Sequence, residues 1–146
     1  MVTLAMYKGP GDKLRYKIFH YAVCYFTKSR YSHCELIIDG IAYSSSARDG
    51  GVRKKVIDNL NESNHWDLFN LPNIDRDSAL AIFSLREGKG YDYLGIIRYL
   101  LPFLSSSSNR DYCSEIVSMM AGLEEYEKTP EDVFRTLIVD QITTTV

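Results

Sequence analysis

Cys113 stands where a polypeptide can make a nucleophile. The serines Ser105 to Ser108 and Asn109 before it compete for backbone hydrogen bonds and do not continue a helix. Behind it, Ile116, Val117, Met120 and Ala121 recur at helical spacing until Gly122 ends the run. The spacing therefore predicts Cys113 in the first turn of a helix, where unpaired N–H groups and the positive end of the dipole favour a thiolate. A cysteine is by default a small hydrophobe on a core face. A nucleophile needs a base, and the base must come from elsewhere in the chain.

His33 is the candidate base. Ser32 to Ile38 reads as a strand, Asp39-Gly40 as a two-residue hairpin turn, and Ile41 to Ser46 as the returning strand. Pairing Ile38 with Ile41 sets Glu35 opposite Ser44 and His33 opposite Ser46, all on one face with Ile37 and Ala42. Cys34, Leu36, Ile38, Ile41 and Tyr43 take the other, more uniformly apolar face. His33 thus has polar groups beside it that could hold its ring. Glu35, Ser44 and Ser46 share its face; for Glu35, two positions along the same strand, the weakness is reach, same-face neighbours on one strand being roughly 7 Å apart. Because His33, Cys34 and Glu35 alternate faces, they form no chelating trio, and no metal or other cofactor is expected.

The remaining segments must carry these residues. Thr3 to Tyr7 reads as a strand closed by Gly9-Pro10-Gly11, and Asp12 as the cap of a helix to about Lys28 with Leu14, Ile18, Ala22 and Phe26 (or Tyr21) inward. Val52 to Ile57 and His65 to Leu71 read as further strands, with Arg53-Lys54-Lys55 as a solvated edge. Asn73 or Asp75 can cap a helix through about Glu87, with Ala79, Ile82 and Phe83 inward. Tyr91-Asp92-Tyr93 opens an apolar helix to Leu101, and Thr129-Pro130 starts a last helix through Leu137. Residues 138–146 offer an edge strand or a frayed end. His20 and His65 read as packed or solvated histidines, and Cys24 as core.

At 146 residues, with 45% hydrophobic and 25% charged residues, the chain is one globular domain able to build its own core. A net charge of −2 gives no concentrated positive surface, so no nucleic-acid partner is expected. The three cysteines lack metal or redox spacing and read as free thiols in a reducing compartment. Met1 to Pro10 does not resemble a signal peptide, and the apolar run Tyr93 to Leu104 is too short to cross a bilayer. A cytoplasmic location and no transmembrane segment are the expectation; oligomeric state is not legible.

Tyr31-Ser32-His33 opening an apolar strand, the glycine turn, Tyr91-Asp92-Tyr93 before an apolar helix, Tyr112-Cys113-Ser114-Glu115-Ile116-Val117, and Thr129-Pro130-Glu131-Asp132 form a pattern. From about residue 30 to about 135 it resembles the circularly permuted papain-like hydrolases, the YiiX-like relatives of the NlpC peptidases, related to the lecithin:retinol acyltransferase group and found in bacteria and phages. The resemblance implies an α+β fold in which an antiparallel sheet packs against the nucleophile-bearing helix and further helices. It implies Cys113 as nucleophile, His33 as base and a third polar residue at or near Ser44. Many relatives have a carboxylate, amide or histidine there, and a serine carries no charge to stabilise an imidazolium. Glu115 would support the helix start or the site wall. The expected activity is thiol-protease-like: cleavage of an amide or ester through a thioester on Cys113, in a peptide or cell-wall substrate. The alternatives are a lipid acyltransferase or thioesterase acting on an acyl-lipid, and a binding module, for example phage-encoded, that keeps the fold with a weakened third residue.

Overall fold

A computed structural model describes residues 1–57, 64–91, 110–124 and 129–139. Its organising feature is the turn at Asp39-Gly40, where φ is 52° and 78°, the paired left-handed geometry of a type I′ hairpin. It joins β2 (His33–Ile38) to β3 (Ile41–Ser46), with Ile38 opposite Ile41, Ile37 opposite Ala42 and Leu36 opposite Tyr43. This is the expected register. On the other side of β2 lies β1 (Val2–Tyr7), with Tyr7 opposite His33, and beyond it β5 (Trp66–Asn70). β4 (Gly51–Val56) flanks β3 and completes a five-stranded antiparallel sheet, β5-β1-β2-β3-β4.

Two short strands extend the β4 edge. Gly90–Tyr91 (β6) pairs antiparallel with β4, and Arg110–Asp111 (β7) pairs parallel with β6. β7 thereby ties to the sheet the chain that leads into Cys113. The approach of β6 depends on Gly51, whose φ is 145°; a Cβ there would overlap the Lys89 carbonyl oxygen, while the Val52 N–H donates to that same oxygen at 2.8 Å.

The helices are α1 (Leu14–Thr27), α2 (Arg76–Arg86), α3 (Cys113–Met120) and α4 (Pro130–Phe134), the last continuing as a π-helical turn, Arg135–Val139. The cap signals at α2 and α4 act as expected: Ser78 N–H donates to Asp75 at 2.7 Å, and Asp132 N–H donates to Thr129 Oγ1 at 3.0 Å. α3 and α2 cover the apolar sheet face, joining Ile116, Val117, Met120, Ala79 and Phe83 to Cys34, Leu36, Ile38 and Tyr43 in one core. The opposite face is closed too, since Ala5, Ala42, Ser44 and Glu35 are buried.

α1 departs from expectation. Its N-cap is Lys13, without a side-chain bond, rather than Asp12. Leu14, Ile18, Tyr21 and Phe26 are exposed, and the inward side carries the buried His20 with half-buried Phe19, Val23 and Cys24. The reason is compositional: apolar residues surround this helix almost completely, so periodicity does not select a face. Among the described residues no helix is long and apolar enough to cross a membrane. The expected apolar helix from Tyr91 to Leu101 lies outside the described residues beyond its first position, as do the serine loop and residues 140–146.

Candidate active site

Cys113 is the first residue of α3, after Tyr112 in extended geometry. The Tyr112 N–H donates to Glu115 Oε2 at 3.2 Å, so Glu115 closes the helix start as expected. Cys113 is buried, beside Cys34 and within reach of His33. His33 begins β2, half-buried, and its Nε2 lies 3.0 Å from Glu35 Oε1.

The chain of contacts continues behind Glu35. Arg53 Nη2 donates to the same Oε1 at 2.7 Å, and Arg53 Nε donates to Asp49 Oδ2 at 2.8 Å. Arg53 was expected on a solvated edge; its side chain is instead 16% exposed and packed between two carboxylates. In the structure Arg53 faces Ser44 across β3 and β4 and so shares the face of Glu35, a register that the loop between these strands does not fix from sequence. Reach does not limit Glu35: its side chain and that of His33 close the gap between alternate positions on β2.

Ser44 lies elsewhere in this network. It is fully buried, and its hydroxyl donates to the Cys34 carbonyl oxygen at 2.7 Å. It therefore braces the backbone next to His33, while the imidazole is held by Glu35. Ser46, opposite Gly51, hydrogen-bonds Asp49.

Charges in the cluster support one another. The hydrogen bond from Cys34 is the largest influence on Cys113 and lowers its pKa; burial opposes it, and attraction and hydrogen bonding by His33 add to it, leaving the thiol well below its ordinary value. Burial would lower His33, but attraction to Cys113, hydrogen bonding with it and the Glu35 carboxylate outweigh burial and raise its pKa to about 9. Burial would likewise raise Glu35, yet its bond to His33 and the Arg53 guanidinium bring it down to about 2. Burial, and the bond it gives to Cys113, push the Cys34 thiol well above its ordinary value, so it stays a donor. The arrangement is a buried Cys–His pair backed by a carboxylate, in which these influences favour thiolate and imidazolium.

A cavity of about 380 Å³ opens against His33, walled by Tyr7, Tyr16, Phe19 and Trp66, with Ser32 and His20 beside them. His20 is a packed histidine, one of the two expected conditions, with its Nδ1 2.6 Å from Ser32 Oγ, and it also lines this cavity. Burial lowers its pKa, with repulsion from His65 adding to the effect. Only tertiary placement reveals it, since nothing local distinguishes a lining histidine from a packed one. Among the described residues no group of three potential ligands is arranged to hold a metal ion.

In comparisons with known proteins, the chain matches no family model and no curated protein. What the fold and site define is an α+β domain in which Cys113, at a helix start, meets His33 and Glu35 on the first strand of a hairpin.

Proposed function

We propose that this chain is a cysteine-dependent hydrolase of the circularly permuted papain-like type, cleaving an amide or ester bond in a peptide or cell-wall-like substrate. The observation that supports it best is the position of the His33 ring between the Cys113 thiol and the Glu35 carboxylate. The Cys113 thiolate attacks the acyl carbonyl, and backbone N–H groups at the start of α3 face the developing oxyanion. Imidazolium His33 protonates the departing amine or alcohol, leaving a thioester on Cys113. Neutral His33 then takes a proton from water, which attacks the thioester, releases the acid and restores the pair. Glu35 holds the ring and stabilises its charged form, the role expected of Ser44 from the resemblance. Incubation with activated esters and thioesters tests the reading: an acyl adduct should appear by mass on Cys113 and be absent from Cys113→Ala and His33→Ala. An adduct on another residue, or none in the wild type, refutes it.

A second reading, transfer or hydrolysis of a lipid acyl group, draws on α1. Leu14, Ile18, Tyr21 and Tyr25 form one exposed stripe at helical spacing beside the cavity, flanked by Lys13, Lys17 and Lys28, the composition of a helix that lies on an anionic interface. Co-sedimentation with phosphatidylglycerol vesicles, lost in Ile18→Ser/Tyr25→Ser, would favour the lipid substrate; no sedimentation favours the soluble one.

A further inference from the structure

The cavity beside His33 has a chemical bias. Its walls are aromatic: Tyr7 lies 4.9 Å from Trp66 between ring centroids, and Trp66 lies 6.3 Å from the His33 ring. At one side two guanidiniums lie over the Tyr16 ring, with Arg15 Cζ 4.7 Å and Arg48 Cζ 5.7 Å from its centroid. Arg15 also donates to the Tyr16 hydroxyl at 2.9 Å. Both arginines are exposed at their outer parts and line the cavity, and the described lining residues include no aspartate or glutamate. Asp49, which attracts Arg48, is already bonded to Arg53. Two cations thus gather at an apolar pocket without a carboxylate in its wall to answer them.

We infer that this cavity is the subsite for a substrate group that combines a flat apolar body with an anionic end, a carboxylate lying against Arg15 and Arg48 while the body stacks among Tyr7, Tyr16 and Trp66. Guanidiniums grip carboxylates through paired N–H donors, and aromatic walls favour flat or apolar groups. Because His33 forms part of the same wall, the group occupying the pocket lies beside the proposed base. In peptide terms it is an aromatic residue with a free C-terminal carboxylate. The assignment rests on the proposed hydrolase reading for its link to cleavage, but the binding itself does not.

Trp66 is the only tryptophan, so its fluorescence reports the pocket without chemistry at Cys113. Titration with 3-phenylpropionate and with its uncharged amide, 3-phenylpropanamide, is the test. The acid should saturate at a concentration lower by about tenfold than the amide, as expected for two partly exposed guanidiniums. That preference should vanish in Arg15→Gln/Arg48→Gln and shrink for the wild type as salt is raised. Equal half-saturation for the two probes, no response to either, or a preference retained in the double variant overturns the subsite. A wild type that binds the acid but labels slowly at Cys113 overturns the hydrolase reading instead, and rapid labelling with no acid preference overturns the subsite alone.

Discussion

Replacing Glu35 with glutamine removes one charge and almost no volume, from a place where that charge has two partners. The carboxylate is nearly inaccessible, 3.0 Å from His33 and 2.7 Å from Arg53. Its pKa falls from 4.5 to about 2 despite burial, through His33 and then Arg53. At roughly 1.4 kcal/mol per unit, the folded state gains about 3 kcal/mol from Glu35 being ionised. The sign follows from the depressed value: this stability is present in full above about 4.5 and fades as pH falls toward 2. Glu35→Gln should therefore lower the urea midpoint at pH 7 by about 1–3 M, for a slope of about 1–3 kcal/mol per M. The gap between wild type and variant should narrow steadily from pH 4.5 to pH 2.5. The variant leaves Arg53 and imidazolium His33 facing a neutral amide, so the pKa of His33 should drop and that of Cys113 should rise. A gap in midpoint that is the same at pH 7 and pH 2.5, or no gap at all, would mean that Glu35 is not the buried anion of this cluster.

Other substitutions separate the roles of the neighbours. Ser44→Ala should cost about 1–2 kcal/mol by leaving the Cys34 carbonyl without its donor, while the pH profile of Cys113 labelling stays in place; a profile shifted as far as that of Glu35→Gln would return Ser44 to the role of ring holder. Cys34→Ala removes the thiol that donates to Cys113 and should move the Cys113 titration upward without abolishing it, because His33 remains. His33 is raised to about 9 from 6.5, chiefly by Cys113 once burial is overcome, so its contribution to stability is full below about 6.5 and is lost as pH rises through 9; unfolding midpoints that stay flat across that window in the wild type, or fall equally in His33→Ala, would contradict this. Gly51→Ala should destabilise by about 2 kcal/mol or more, through positive φ and the clash with Lys89, measurable as a urea midpoint shift; a neutral effect would mean that β6 can move aside.

Much of the site was legible because hairpins have strict rules. Asp39-Gly40 fixes the turn, the turn fixes the register, and the register puts His33 and Glu35 on one face. The first turn of α3 was equally legible, since the residues behind Cys113 keep helical spacing and Glu115 can return to the Tyr112 N–H. Side-chain reach was not: the resemblance pointed to Ser44 and backbone spacing counted against Glu35, whereas the Glu35 and His33 side chains meet at 3.0 Å and Ser44 turns to the Cys34 carbonyl. Arg53 was hidden by its basic neighbours Lys54 and Lys55, which are exposed as a solvated edge should be, while Arg53 is not. The facing of α1 was beyond the pattern, because a helix apolar on nearly every side offers no preferred stripe. His20 came into view only through the cavity that α1, β1 and the start of β2 share.

The central claim is a live thiolate–imidazolium pair at Cys113 and His33, and it is tested most directly by the rate of iodoacetamide labelling at each of the three cysteines against pH, in the wild type and in His33→Ala. The account predicts that Cys113, though buried, reacts fastest and titrates well below an ordinary thiol, and that His33→Ala removes this advantage while Cys24, whose thiol burial pushes up, is unaffected. Labelling of Cys113 no faster than that of Cys24 and Cys34, or the same profile in His33→Ala, would contradict it.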